Sequence, residues 1–197
     1  MADIKIEDIK KLKDATGVGL TAAKKALEEA GGDYDKAVEE MRVKGLAKAD
    51  KKSDRAAEAG LVHSYMHGER IGSMVEINCE TDFVAKTDDF KDFVHEIALH
   101  VAAAAPQYVS VDDIPADVIA KEKDLFKQEL ENEGKKGDMV EKIIEGKVKK
   151  WQSEICLLEQ GFIKDPDTKV GDLLREQIAK LGENMKIARF ARFELGN

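Results

Sequence analysis

With 197 residues, 37% of them charged and only 6% aromatic, the chain has room for one large or two small domains, and its composition favours a helix-rich, well-solvated protein over a β-sandwich. Its 32 basic and 40 acidic side chains leave a net charge of −8, which argues against indiscriminate nucleic-acid binding, because the phosphate backbone rewards clustered Lys and Arg. Cys79 and Cys156 are too few for a disulfide framework and lack metal-ligand spacing. The opening Met-Ala-Asp-Ile-Lys has no apolar signal core, and no apolar run approaches the ~20 residues that span a bilayer. A soluble cytoplasmic protein with reduced cysteines and no membrane partner is expected.

The charge is uneven: residues 1–52 carry 12 basic and 11 acidic groups, +1, leaving −9 for the remainder. Residues 1–45 predict three short helices. Ile6, Ile9 and Leu12 share a face of the first, which stops at Thr16-Gly17-Val18-Gly19. Leu20, Ala23, Leu27 and Ala30 mark the second, which ends at Gly31-Gly32. Asp33 caps the third, where Tyr34, Ala37, Val38 and Met41 align before a stop at Gly45. Residues 46–60, rich in Ala and charge with no apolar stripe, read as a charged linker.

Residues 61–197 read as an α+β core. Leu61–His67 and Ile71–Cys79 predict strands around Gly68-Glu69-Arg70, the second with Ile71, Val75, Ile77 and Cys79 on one face and Met74 as an apolar exception on the other. Thr87 is expected to cap a helix with Phe90, Phe93, Val94, Ile97, Ala98 and Val101 as its stripe, ended by Pro106. Tyr108–Val111 could form a short strand. Pro115 suits a helix start, with Leu125 and Leu130 inward. Gly134-Lys-Lys-Gly137 breaks the chain, Asp138 and Glu141 resemble a capping box, and Val140, Ile144, Val148, Trp151 and Ile155 face inward on the next helix. Leu157–Ile163 is ambiguous, Asp165-Pro166-Asp167 reads as a turn, and Leu174, Ile178 and Leu181 mark one more helix. A last strand is expected to place Met185, Ile187, Ala191, Phe193 and Leu195 on one face.

No constellation of nucleophile, base and metal emerges, so no catalytic or metal-binding residue is assigned. His63 and His67, four apart on a strand, are about 13 Å apart, too far to share one zinc. His95 and His100 diverge around a helix. Gly17-Val18-Gly19 lacks the third glycine and preceding strand of a phosphate loop. Arg189-Phe-Ala-Arg192-Phe mixes basic and aromatic residues as single-strand platforms do, but also fits a pairing strand with one charged face.

The segment without a structural explanation is Thr81-Asp82-Phe83-Val84, where strand alternation runs into a helix start. A large apolar ring beside a carboxylate at an exposed turn fits a wedge pushed into a partner protein. Taken singly, Phe83 would also fit an anchor folded onto its own domain, and Asp82 a helix-cap charge.

Lys10–Leu27 with Gly32–Val38, Glu76-Ile-Asn-Cys-Glu-Thr-Asp-Phe-Val-Ala85 and Leu181-Gly-Glu-Asn-Met-Lys-Ile187 together resemble bacterial elongation factor Ts, in order and over nearly the whole chain. The resemblance implies a non-enzymatic guanine-nucleotide exchange factor for elongation factor Tu in protein biosynthesis. It also implies a ubiquitin-associated-like three-helix domain over residues 1–45, a linker, and an antiparallel sheet packed with helices. Thr81, Asp82, Phe83 and Val84 would intrude near the partner's magnesium, while Lys13, Leu20, Thr21 and Lys24 match its N-terminal contact surface. Lys13 and Lys24 fit ordinary solvated helix charge equally well. No cofactor is expected, since magnesium and GDP or GTP belong to the partner, and no direct nucleic-acid contact is expected. The chain is short for the family, which implies a homodimer, noncovalent because Ala191 stands where some short members carry cysteine. Two other readings stay open: an adaptor using the three-helix module, and an RNA-binding accessory protein using the C-terminal strand.

Overall fold

The computed structural model describes residues 4–134 and 139–196. In chain order its elements are α1 (Ile6–Thr16), α2 (Leu20–Glu29), α3 (Tyr34–Asp50), β1 (Ala59–His67), β2 (Ile71–Cys79), α4 (Asp82–Ala85), α5 (Asp88–Ala104), α6 (Ala116–Asn132), α7 (Met139–Ile155), β3 (Gly161–Phe162), β4 (Asp165–Lys169), α8 (Val170–Leu181) and β5 (Met185–Glu194). The order is α+β, with N-terminal helices preceding an antiparallel sheet and further helices. The main sheet runs β1-β2-β5, and β3 and β4 form a separate pair. Contacts divide the chain into two units: Met1–Val62 with Glu76–His95 and Asp172–Ile187, and His63–Val75 with Glu96–Gly171 and Ala188–Asn197.

In the first unit, α1 ends where Gly17 turns left-handed at φ 69°, its N–H bonding Lys13 O at 2.8 Å. A Cβ there would lie 2.6 Å from Lys180 Cγ, so glycine also permits a close approach to α8. Asp33 caps α3 by accepting the Lys36 N–H at 3.1 Å. Leu12, Ala23, Ala26, Leu27, Ala30 and Ala37 make the core of the three helices. Ile6 and Leu20, expected on the inward stripes, are instead exposed. Each is the first residue of its helix, ahead of the turns that carry the buried Leu12 and Leu27.

The expected stop at Gly45 is absent, and α3 continues to Asp50. Gly45 faces α8, where a Cβ would lie 3.2 Å from Ala179 Cβ. Arg42 pairs with Glu176 at 2.6 Å and Asp50 with Arg175 at 3.2 Å. Tertiary packing therefore overrides the propensity of glycine to end a helix. The next residues are also engaged: Lys52 Nζ donates to Gly182 O, and the carbonyls of Ser53 and Arg55 accept from Asn184. In β1, Gly60 has φ 148°, and a Cβ there would lie 2.2 Å from Ile77 O.

β2 alternates as predicted, with Ser73, Val75, Ile77 and Cys79 buried and Met74 exposed. α5 buries all six stripe residues, and Thr87 Oγ1 accepts the Phe90 N–H at 3.3 Å. Within the second unit, the Ser73 hydroxyl donates to Ala98 O at 2.6 Å, tying β2 to α5.

Four other expectations change here. Tyr108–Val111 is not a strand: Tyr108 makes one isolated parallel bridge to Cys156, and a short 3-10 turn follows. Leu130 is buried but Leu125 is 57% exposed, since five residues rotate a helix by about 140° and the two cannot share a face. Asp165-Pro166-Asp167 lies in β4 rather than in a turn. The reversal falls at residues 163–164, with Phe162 paired to Asp165, and Pro166 is tolerated because a two-stranded sheet has only edges. In β5, Met185 and Ile187 are buried, but two successive exposed residues, Ala188 and Arg189, shift the phase of burial. Arg192 then faces α5, donating to Ala102 O at 2.9 Å. Ala191, Phe193 and Leu195 are exposed instead of sharing the core face. The proposed capping box at Asp138 lies outside the described residues.

Candidate functional site

Where β2 ends and its sheet neighbour β5 begins, two dipeptides of the first unit face each other, Glu80-Thr81 and Glu183-Asn184. Each glutamate accepts the backbone N–H of the other pair's second residue. Glu183 Oε2 takes the Thr81 N–H at 3.0 Å, and Glu80 Oε1 takes the Asn184 N–H at 2.6 Å. The Thr81 hydroxyl also donates to Glu183 Oε1 at 2.7 Å. Asn184 is buried, and its amide donates to Ser53 O at 3.1 Å and Arg55 O at 2.7 Å. The Asn184 N–H holds the Glu80 carboxyl below its usual range, against the opposing effect of burial, and the nearby Arg55 guanidinium adds to the lowering.

This clasp carries α4. Thr81 is its N-cap, with extended backbone (φ −130°, ψ 155°), and its hydroxyl accepts the Val84 N–H at 3.4 Å. At the far end the Thr87 hydroxyl donates to Val84 O at 2.7 Å, and Thr87 Oγ1 also caps α5 by accepting the Phe90 N–H. Ala85 points inward and is buried, while Phe83 is 79% exposed. Asp82 is also exposed and pairs with Lys86 at 2.5 Å, which holds its carboxyl below the ordinary range and ionised. Neither Asp82 nor Phe83 is sealed inside the chain. Behind them Cys79 is buried and donates to Thr81 O at 3.1 Å; burial pushes its thiol up, and burial pushes the Cys156 thiol up to about 11, so neither is a poised nucleophile.

A Phe side chain left in water forgoes roughly 1.5–3 kcal/mol of burial. Here it stands on a four-residue turn bonded at both ends, so its exposure is built into the fold. The arrangement presents an apolar ring and an ionised carboxylate side by side on a fixed support.

Lys13 lies in the last turn of α1, and Leu20, Thr21 and Lys24 in the first turns of α2. All four are exposed. Lys13 pairs with Asp14 at 3.0 Å and Lys24 with Glu28 at 3.8 Å, local ion pairs that leave their faces open to solvent. They belong to the same unit as α4 but to different elements. Among the described residues no three His, Cys, Asp or Glu side chains group as a metal site, and no described helix is long and apolar enough to cross a membrane.

Reasoning from sequence missed Glu80, Glu183, Asn184 and Arg55 as the support of the turn. The only available signal was that Leu181–Ile187 is one of the runs that carry the family resemblance.

The family model described as Elongation factor TS matches residues 2–197. Elongation factor Ts of Carboxydothermus hydrogenoformans is 56% identical over 189 residues, covering 95% of this chain and 87% of the relative. Those of Alkaliphilus oremlandii and Moorella thermoacetica are each 54% identical, covering 98% and 96% of this chain and 90% and 94% of theirs. On a match spanning both the clasp and the N-terminal helices, the chain belongs to the elongation factor Ts family.

Proposed function

We propose that the Thr81–Val84 turn is the part of this chain that performs its family's exchange reaction. As a member of that family the chain is a guanine-nucleotide exchange factor that promotes GDP release from elongation factor Tu in translation elongation. The observation that supports the assignment is the exposed Phe83 ring on a turn fastened at both ends, with the ionised Asp82 beside it. Magnesium in the partner bridges the nucleotide phosphates and offsets their charge. Phe83 wedges between partner side chains near that ion, and Asp82 pulls on groups around the phosphates. Coupling is reciprocal, so a factor that binds best without nucleotide must weaken nucleotide binding. About 4 kcal/mol of such coupling is a thousandfold loss of GDP affinity.

Lys13, Leu20, Thr21 and Lys24 dock on the partner and set affinity. The chain needs no cofactor of its own, because magnesium and GDP or GTP are the partner's, and it works in the cytoplasm. It does not bind nucleic acid: Arg192 of the basic-aromatic strand is engaged by Ala102 O and Glu194. It acts as a homodimer. Met66 packs over Gly72, while Met74 and Phe193 follow the α5-facing Ser73 and Arg192 and so project from the opposite side of the sheet. All three apolar residues are exposed and suit a second copy.

Release of fluorescent GDP from elongation factor Tu, followed by stopped flow, tests the turn. Phe83→Ala should slow release at saturating factor by tenfold or more, and a rate equal to the unmodified protein refutes the wedge. Sedimentation at micromolar concentration tests the dimer. Phe193→Glu should convert a dimer to a 21.8 kDa monomer, and a monomer before substitution refutes it.

A further inference from the structure

We infer that Glu183 is a positioning residue for the exchange step, setting the direction in which Asp82 and Phe83 project without itself touching the partner's nucleotide site. The inference rests on the reading of Thr81–Val84 given above. The bonds that α4 makes for itself are long: Ala85 N–H to Thr81 O at 3.3 Å, Lys86 N–H to Phe83 O at 3.3 Å and Val84 N–H to Thr81 Oγ1 at 3.4 Å. Its exit is held more firmly, by the Thr87 N–H and hydroxyl on Val84 O at 3.0 and 2.7 Å, so the entry at Thr81 is the end that would fray. Its entry is fixed from outside by two shorter, charge-assisted bonds, both to the Glu183 carboxylate, at 2.7 and 3.0 Å.

The geometry also orients the cap. A threonine hydroxyl has one proton and two lone pairs. Glu183 Oε1 takes the proton, which turns a lone pair toward the Val84 N–H. Without the carboxylate, the Thr81 N–H loses its acceptor and the hydroxyl is free to rotate. The other half of the clasp, Glu80 with the Asn184 N–H, does not involve the Glu183 side chain, and neither do the Asn184 bonds to Ser53 O and Arg55 O. Removing the Glu183 side chain should therefore loosen the turn and leave the surrounding backbone closed.

The test is stopped-flow release of fluorescent GDP from elongation factor Tu over a range of factor concentration. The plateau rate reports the inserted turn, and the half-saturating concentration reports docking. Glu183→Ala should lower the plateau about tenfold with the half-saturating concentration within about twofold and the thermal midpoint little moved. Glu183→Gln should recover much of the loss, because its amide oxygen still accepts the Thr81 N–H. A Glu183→Ala plateau within about twofold of the unmodified protein overturns the inference, provided Phe83→Ala is slow in the same assay. If Phe83→Ala is also unimpaired, the reading of the turn falls first and this inference with it. A joint collapse of plateau, docking and thermal midpoint that Glu183→Gln does not relieve also overturns it, in favour of a purely structural role.

Discussion

The clasp around α4 and the network around His100 both hold irregular backbone, by opposite physical means. In the clasp, carboxylates at the protein surface accept backbone N–H groups, and what they support is exposed. In the second unit His100 is fully buried and neutral: Nδ1 accepts the Ile163 N–H at 3.1 Å, so Nε2 carries the proton and donates it to Gln160 Oε1 at 2.9 Å. Gln160 passes the chain of bonds on to Glu154 O at 2.7 Å, and Phe162 packs on the imidazole at 5.9 Å. The buried network secures the β3–β4 hairpin and serves stability. The exposed one holds an apolar ring in water and, in the function proposed above, serves recognition. Burial therefore says little about which polar network matters for function; what the network presents to solvent says more.

The sharpest way to break the comparison is to truncate what each network holds or is built on. Phe83→Ala should produce the largest change in the molecule's behaviour, a loss of tenfold to a hundredfold in GDP-release rate, equivalent to about 1.4–2.8 kcal/mol of transition-state stabilisation, with no loss of thermal stability. His100→Ala should do the reverse. It removes a fully buried side chain and takes away the partner of the Ile163 N–H and of the buried Gln160 Oε1, and should lower unfolding free energy by about 2–4 kcal/mol, measured by urea denaturation, with GDP release at 20 °C little altered. If either variant damages both properties equally, the separation of roles is wrong.

The two networks should also separate by pH. Burial holds the His100 pKa below its usual 6.5, against the opposing effect of Gln160. Its folded pKa is depressed, so its contribution is complete above pH 6.5. It is lost as pH falls from there toward the folded value, because the unfolded chain takes up the proton first. One such proton gives a slope of at most about 1.4 kcal/mol per pH unit, which denaturation at pH 7.5, 6.5 and 5.5 would resolve and which His100→Ala should flatten. Glu80 is a depressed carboxylate, so its contribution persists until pH falls below its ordinary value of 4.5. Stability should thus decline through mild acidity while the Glu80 half of the clasp remains intact. The smallest effect is expected at Lys86→Ala. Its pair with Asp82 is exposed at both ends, so the thermal midpoint should not move measurably, and any change in GDP release would report the freed Asp82.

How much of this was readable beforehand differs by region for a physical reason. Short-range rules place α5 with its full inward stripe, the caps at Asp33 and Thr87, and the alternation of β2, because each depends on residues within a turn or two of one another. The same rules fail at Gly45, where a stop becomes a close contact with Ala179, and in β5, where a one-residue shift of phase turns Phe193 outward. They are silent on the clasp, whose partners Thr81 and Glu183 are 102 residues apart and Glu80 and Asn184 104 apart. The ring at Phe83 and the acid at Asp82 were visible as residue types in an unusual place; their support was not.

By itself, then, the sequence determined the periodic elements, the family, and the segment that periodicity could not explain. The tertiary structure decided which faces of those elements are covered, where helix α3 ends, and that Glu183 and Glu80 fasten the turn. Periodicity is a local property of the chain, whereas burial phase, close helix approach and hydrogen bonds across a hundred residues exist only once distant segments have met.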